Sequence, residues 1–365
     1  MKPYEPKTLP IDDIDWPAHV TMIGRANAAL ARYDGMIQNI VNPAVLLSPL
    51  ATQEAVLSSR IEGTQASMEE VLRFEADPHE PIEPTRESDI KEILNYRVAI
   101  GHAKKKMKER PFCLNLLKEL HAILLDSVRG RDKARGQFRR SQNFIGLPGD
   151  PIERASFIPP VWEHVEPSMN AWEKYFHSDE QDRLVQLAIV KAQFELIHPF
   201  LDGNGRLGRM LIPLFLFEKG LLSGPVFYLS AYLEKNRDTY YQKLRALSVD
   251  SDWNGWVAFF LRALEEQAVE NTEKTKNIIS LYEKMKREIP KAVKSQYAVA
   301  AIDALFARPI FQSRHFISLS KIPRDSALRI LRGLKNKGFI NEIRPGKGRR
   351  AAVAAFSELI RITRE

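Results

Sequence analysis

HPFLDGNGRLGR, residues 198–209, sets one histidine, one carboxylate, three glycines and two arginines between two apolar runs. Upstream, RLVQLAIVKAQFELI has helical apolar spacing and is stopped by Pro199; downstream, RLGRMLIPLFLFEKG has it again and runs to Gly220. DGNG is therefore a turn between two helices. Asp-Gly and Asn-Gly are common turn dipeptides with no chemistry of their own. Helical flanks argue against a hairpin, and Arg206 and Leu207 break the calcium-loop pattern. A plain turn leaves Arg206 and Arg209 unexplained. They lie three apart on the first turn of a helix, where the dipole and the free N–H groups already present positive charge. Such an arrangement calls for an anion: glycines that admit backbone amides, a helix N-terminus and two arginines make a polyphosphate cradle.

Outward from this stretch the chain reads as mainly α. VTMIGRANAALARYDGMI and TQEAVLSSRIE have helical spacing, the latter stopping at Gly63, and Ser67 with Glu70 forms a capping box before SMEEVLRFE. ADPHEPIEPTRES, with three prolines, is a connector. Helices return in DIKEILNYRVAIGHAKKKM, LNLLKELHAILLDSV and VWEHVEPSMNAWEKYF. Between Gly136 and Pro160 the helical period disappears, which predicts a loop with a small β-hairpin ending in SFIPP. In the tail, AVAAIDALFA, SRHFISLS and PRDSALRILRGLKNKG predict three helices, and FINEIR and RRAAVAAF two strands joined by PGKG.

HPFLDGNGRLGR resembles, without departure, the signature loop of the Fic family, H-x-F-x-(D/E)-G-N-G-R-x-x-R. The resemblance extends to RGQFRRSQNFIG, to SFIPP and to SSRIEGT, and covers roughly residues 1 to 270. It implies a Fic-type helical fold with a small β-hairpin flap, and transfer of AMP from ATP onto a protein Tyr, Thr or Ser hydroxyl with release of pyrophosphate. On this resemblance His198 is the general base, although a histidine beside proline is, by itself, more often packed or exposed. Asp202 would hold Mg2+ between the α and β phosphates, oxygen being the ligand a hard cation prefers. Gly203, Asn204 and Gly205 would supply the anion cradle, and Arg206 and Arg209 would neutralise the β and γ phosphates, with Leu207 and Gly208 in the same nucleotide-binding run. Phe200 would pack under the loop. Tyr240 and Tyr241 resemble the family's aromatic pair near the base; adjacent helical residues face apart, so one belongs to the core and Tyr241 is assigned to the nucleotide.

GDPIERASFIPP resembles the family's flap, so residues 149–160 are expected to dock the target protein by strand addition, with little regard to its sequence. Ser58, Glu62 and Gly63 match the inhibitory motif (S/T)-x-x-x-(E/D)-(G/N). A carboxylate at a helix C-terminus and a cation at a helix N-terminus each oppose their own dipole, and pairing Glu62 with Arg209 relieves both. Glu62 would then keep Arg209 from the γ phosphate, with Ser58, one turn earlier, orienting the carboxylate.

Charge divides the chain. From Lys274 onward there are 21 Lys and Arg against 7 Asp and Glu, a net of +14, which leaves 33 against 39, or −6, for the rest. Helices followed by a basic hairpin resemble a winged-helix domain. Ala327, Leu331 and Leu334 form an apolar stripe on its third helix, and Arg329, Arg332 and Lys335, with Lys347, Arg349 and Arg350 on the wing, are placed to meet phosphates. Use of the same surface for protein contact is the competing reading. The expected divisions are 1–85, an N-terminal helical region with the inhibitory helix; 86–273, the catalytic core; and 274–365, a basic winged-helix-like domain.

No run of 18 apolar residues exists and MKPYEPK carries no signal core, which predicts a soluble cytoplasmic protein with no membrane partner. Cys113, the only cysteine, excludes an intramolecular disulfide and a cysteine metal cluster, and its apolar run predicts packing. Two functions follow: a self-inhibited adenylyltransferase using ATP and Mg2+, or a DNA-binding regulator whose Fic body senses nucleotide. Self-modification, DNA contact through the tail and a homodimer are left open.

Overall fold

The computed structural model describes residues 2–126, 133–146, 149, 151–348 and 350–364. Asp15 caps α1 (Trp16–Gln38) through the amide of Ala18, with Pro17 in the first turn, where no helical hydrogen bond is lost. After α2 (Pro43–Leu46), α3 (Ser48–Ile61) ends at Glu62 and at Gly63, whose φ of 101° suits glycine. The expected capping box opens α4 (Met68–Ala76): Ser67 Oγ accepts from the Glu70 amide, and the Glu70 carboxylate accepts from the Ser67 amide. The connector narrows to residues 77–83 and leads into α5 (Pro84–Lys106) and α6 (Leu114–Leu124). Cys113, partly buried, is the residue before α6. Next come α7 (Val165–His177), α8 (Arg183–Ile197), α9 (Asn204–Glu218), α10 (Ser230–Lys235) and α11 (Arg237–Asp250). Among the described residues no helix is long and apolar enough to cross a membrane.

α8 is the axis of the core. RLVQLAIVKAQFELI is apolar nearly all round, and α7, α9 and α12 (Trp253–Val293) pack on different sides of it, burying every residue except Arg183 and Glu195. Indole donors fix its position: Trp172 Nε1 donates to Val190 O at 2.8 Å and Trp256 Nε1 to Ala188 O at 2.8 Å. The loop at the C-terminal end of α8 is thus carried on a rigid, buried support.

The division expected between 273 and 274 falls inside α12. Buried positions continue at helical spacing through Leu264, Ala268, Asn271, Thr275, Ile278 and Leu281, so the apolar stripe carries straight on where the charge changes. No linker is needed there, because charge on the outer face does not interrupt a buried one.

Beyond α12 lie α13 (Ala298–Ala307), β1 (Ile310–Gln312), α14 (Ser313–Ser320), α15 (Arg324–Asn336), β2 (Asn341–Arg344), β3 (Val353–Ala355) and α16 (Ser357–Arg364). The sheet order is β1-β3-β2, all antiparallel, with Ile310 opposite Ala355 and Asn341 also opposite Ala355. The three expected helices are present; α16 was not expected, nor was β1, whose three residues are too few to show a period. On α15 the buried positions are Ala327, Ile330 and Leu334, with Leu331 only partly covered, which shifts the predicted stripe by one residue. Arg349 lies outside the described residues.

The expected hairpin is much reduced. Among the described residues its pairing is a single antiparallel bridge, Ile145 with Phe157, and Ile152–Arg154 forms one 3-10 turn. Pro151, Pro159 and Pro160 have no amide to donate, so a ladder cannot lengthen through them. Residues 147, 148 and 150 of this stretch lie outside the described residues.

Candidate active site

Pro199 ends α8, and the chain turns at His198, which adopts the left-handed conformation (φ 48°, ψ 61°), a cost of roughly 1 kcal/mol for a residue with a β-carbon. The surroundings over-determine that turn. The His198 amide donates to Phe194 O at 3.0 Å, and its carbonyl accepts from Arg139 Nε at 3.0 Å. Arg139, 1% exposed, also donates to Ser141 O at 3.2 Å and Pro160 O at 2.5 Å, tying the end of the 136–160 stretch to the 198–209 loop. Burial brings its guanidinium down to about 10. The motif RGQFRRSQNFIG carries Arg139 as one of several cations, and nothing local marks it as the one that is buried.

The loop is closed from inside. Asn204 Oδ1 accepts from the Phe200 amide at 2.9 Å and its Nδ2 donates to Phe200 O at 2.8 Å. Its side chain is therefore spent on the loop, and Asn204 can serve an anion only through its backbone. Phe200 is fully buried, as expected, and stacks on His121 at 3.9 Å between ring centroids. His121 Nδ1 accepts from the Gly136 amide at 2.8 Å, so Nε2 carries the proton and donates to Asp202 O at 3.1 Å. Burial lowers His121 to about 4, which keeps it neutral. Gly203 precedes α9 with φ 78°, and the first amides of α9 point out of the helix ahead of its own hydrogen-bond ladder.

Both arginines are buried and met by carboxylates. Arg206 Nη1 reaches Glu92 Oε2 at 2.8 Å, a partner on α5 that the sequence reading missed, and its Nη2 lies 3.6 Å from Asp202 Oδ1. Arg209 Nε donates to Ser58 Oγ at 2.9 Å, and its Nη2 to Ser58 O at 2.8 Å and Glu62 Oε1 at 2.6 Å. The three residues matched by motif, Ser58, Glu62 and Arg209, thus come together across 147 to 151 positions of chain. Gly205 makes this possible: a β-carbon there would collide with Glu62 Oε1. At Gly208 a β-carbon would collide with Glu195, which is paired with the buried Lys191 behind the loop.

The titration of these groups follows from their neighbours. Burial alone would raise Glu62, but the charge and hydrogen bond of Arg209, aided by Arg206 and His198, bring it below its ordinary value. Burial lowers His198, against the opposing pull of Glu195 and Glu62, so the imidazole is unprotonated at neutral pH. Its Nδ1 lies 3.4 Å from Glu195 O. Glu54, on the same helix as Glu62, accepts from the Ser230 amide at 3.0 Å and Oγ at 2.6 Å, and burial lifts it to about 7. It lines a cavity of about 600 Å³ behind α3 that none of the loop residues 198–209 lines.

Tyr240 and Tyr241 divide as expected. Tyr240 is 2% exposed and accepts from Lys191 Nζ at 3.1 Å, whereas Tyr241 is 43% exposed, with Arg237 5.8 Å over its ring. Arg237 also donates to Ile61 O at 2.9 Å, which sets Tyr241 beside the end of α3. Among the described residues no group of three or more His, Cys, Asp or Glu could hold a metal alone. Asp202, with its side chain 44% exposed, is a single carboxylate at the loop, and Mg2+ is ordinarily bound by one or two carboxylates together with substrate phosphates and water. The donor set therefore fits that ion.

A histidine-ended central helix, a glycine-rich turn and a second helix opening on buried arginines constitute a Fic fold. Residues 20–105 match the Fic/DOC family N-terminal domain and residues 111–216 the Fic/DOC family domain, together just over half of the chain, which belongs to the Fic/DOC family. Over 182 residues the chain is 25% identical to protein adenylyltransferase Fic of Drosophila mojavensis, covering 48% of this chain and 32% of that protein. Over 92 residues it is 34% identical to a probable protein adenylyltransferase of Aquifex aeolicus, covering 25% of this chain and 26% of that one. The chain thus spans about a third or less of the length of these curated relatives. A Fic family protein from Desulfovibrio desulfuricans G20 superposes with a TM-score of 0.57 at 19% identity, over 97% of this chain and 98% of that one. Fic-1 from C. elegans gives a TM-score of 0.54 at 17% identity, over 73% of this chain and 74% of that one. At such identities the likeness is one of fold.

Proposed function

We propose that the protein is a self-inhibited protein adenylyltransferase. The observation that carries this reading is the folded loop itself: an unprotonated His198 beside the N-terminus of α9, with Arg206 and Arg209 on the same turn. His198 Nδ1 faces the Glu195 carbonyl, which leaves Nε2 to take the proton from a Tyr, Thr or Ser hydroxyl of the target. The hydroxyl oxygen bonds to the α phosphorus of ATP, the bond to the β-phosphate oxygen breaks, and pyrophosphate leaves. The α9 amides, Gly203 and Gly205 receive phosphate oxygens, and Arg206 and Arg209 balance their charge. Asp202 would hold Mg2+, which supplies further charge neutralisation at the phosphates when bound. The exposed Tyr241 ring offers a face to the base, and residues 149–160 would seat the target segment.

Regulation is part of the proposal. While Glu62 occupies Arg209, that guanidinium is not available to a γ phosphate, and ATP loses one anchor of its in-line alignment. Incubation with labelled ATP, Mg2+ and cell lysate tests the activity. Label should appear on protein bands, on a target or on the protein itself, and His198→Ala should cut it by roughly 10² to 10⁴. Undiminished labelling by that variant would remove His198 from the mechanism.

A second reading, a DNA-binding regulator with a nucleotide-sensing Fic body, is favoured by the outward cations of the tail. Arg329 and Arg332 on α15 and Lys347 beyond β2 are exposed, and none makes an ion pair among the described residues.

A further inference from the structure

We infer that the connector of residues 77–83 masks a DNA-binding surface: Asp77 and Glu80 occupy arginines of the tail that duplex DNA would otherwise engage. Arg344, the last residue of β2, lies 2.6 Å from Asp77 Oδ2 and 3.4 Å from Glu80 Oε2. Arg350, across the β2–β3 turn, donates to His79 O. Arg364 of α16 reaches Glu69 of α4 at 3.7 Å, and β1 packs against α4, so the tail is seated on this part of the N-terminal region.

The ion pair is one of charge more than of fit. Asp77 and Arg344 side chains are 6% and 18% exposed, yet Arg344 Nε and Nη1 are buried without a hydrogen bond. A guanidinium has five donors in a planar fork, and phosphate oxygens could meet those left unmet. Asp77 itself is ionised, since the hydrogen bond and charge of Arg344 outweigh burial and hold it below its ordinary value. Three further cations of the tail are displayed outward: Arg329, Arg332 and Lys347 are exposed, with Asp325 the exposed acid on α15 and Glu342 engaged by Lys335 at 2.6 Å. A surface with a net charge of +14 over residues 274–365, part of it covered by two intramolecular carboxylates, has the electrostatics of a polyanion site in its occupied state. Bound DNA and the docked connector then compete for Arg344 and Arg350.

The inference rests on reading the tail as a DNA-binding module, and is independent of adenylyl transfer. Its test is binding of a short fluorescent duplex to the full chain over a range of salt, for the parent and for Asp77→Asn combined with Glu80→Gln. Neutralising the connector should tighten binding about tenfold at low salt and steepen its salt dependence. In the parent, saturating DNA should speed hydrogen exchange of amides in 77–83. Equal affinity of parent and variant, with exchange in 77–83 unmoved by DNA, would overturn the masking while leaving the tail as a DNA module. Absence of binding by both at low salt would overturn the tail reading as well. Should the double variant unfold, Glu80→Gln alone and the exchange measurement on the parent decide in the same way.

Discussion

Arg206 and Arg209 in α9 and Arg329 and Arg332 in α15 share a spacing and nothing else. The first two are 4% and 2% exposed and meet Glu92, Ser58 and Glu62 from α5 and α3. The second two are exposed and make no ion pair among the described residues. Spacing of three along a helix puts both members of each pair on one face. What that face meets is a separate matter, decided by elements more than a hundred residues away. A guanidinium taken out of water is costly unless a carboxylate and hydrogen bonds come with it, whereas one left in water needs no partner. The first pair is accordingly built into a site, and the second is displayed.

The largest effect should separate the two helices directly. Arg206→Ala removes the cation facing Glu92 and should cost about 3–5 kcal/mol of stability, whereas Arg329→Ala and Arg332→Ala should each stay within about 0.5 kcal/mol. Denaturant unfolding of the three variants measures this, and similar costs would erase the distinction.

Two carboxylates of α3 sharpen the same point. Glu62 is driven down by Arg209, while Glu54, two turns earlier and bonded to Ser230, is lifted to about 7 by burial. A carboxyl whose folded-state value lies above its ordinary 4.5 contributes its full stability below that value and loses it as pH rises through about 7. Stability of the parent should therefore fall between those limits, and Glu54→Gln should remove a part of that fall on the order of 3 kcal/mol. An unchanged pH profile would place Glu54 in water.

The smallest expected change is in rate. Glu62→Gly frees Arg209, and transfer, including self-modification, should rise about tenfold, near 1.4 kcal/mol. The freed guanidinium remains buried against Ser58, so the ligand-free variant should be less stable than the parent and should gain more in melting temperature from ATP. Combining it with Arg209→Ala should abolish the gain. A folded Glu62→Gly protein no more active than the parent on any lysate protein, itself included, would reduce the Ser58–Glu62–Arg209 contact to a structural one.

Much of the loop was legible beforehand because its signals are local. Pro199 stops a helix wherever it stands, Gly203 marks a positive φ, and the Ser67–Glu70 box needs only three residues of separation. The split of Tyr240 and Tyr241 into core and surface follows from helical geometry alone. The expected hairpin keeps one bridge among the described residues because a longer ladder needs donors that Pro151, Pro159 and Pro160 lack, and loss of the helical period does not show this. The division placed at residue 274 follows composition, while the apolar stripe of α12 runs on beneath it. Arg139 escaped assignment since its partners are carbonyl oxygens, which have no letter in the sequence.

By itself the sequence determined the helix ends, the turn between α8 and α9, the buried character of α8 and the chemical inventory of the loop, since short-range sterics and a 3.6-residue period act within a few neighbours. The tertiary structure alone decided that Arg206 faces Glu92, that Glu62 reaches Arg209 and that Arg344 is held by Asp77. Those contacts join positions 114, 147 and 267 residues apart. Charge types along the chain allow many such pairings, and the one that forms is whichever the packing of α3, α5, α9 and the tail brings within reach while leaving the fewest charges buried alone.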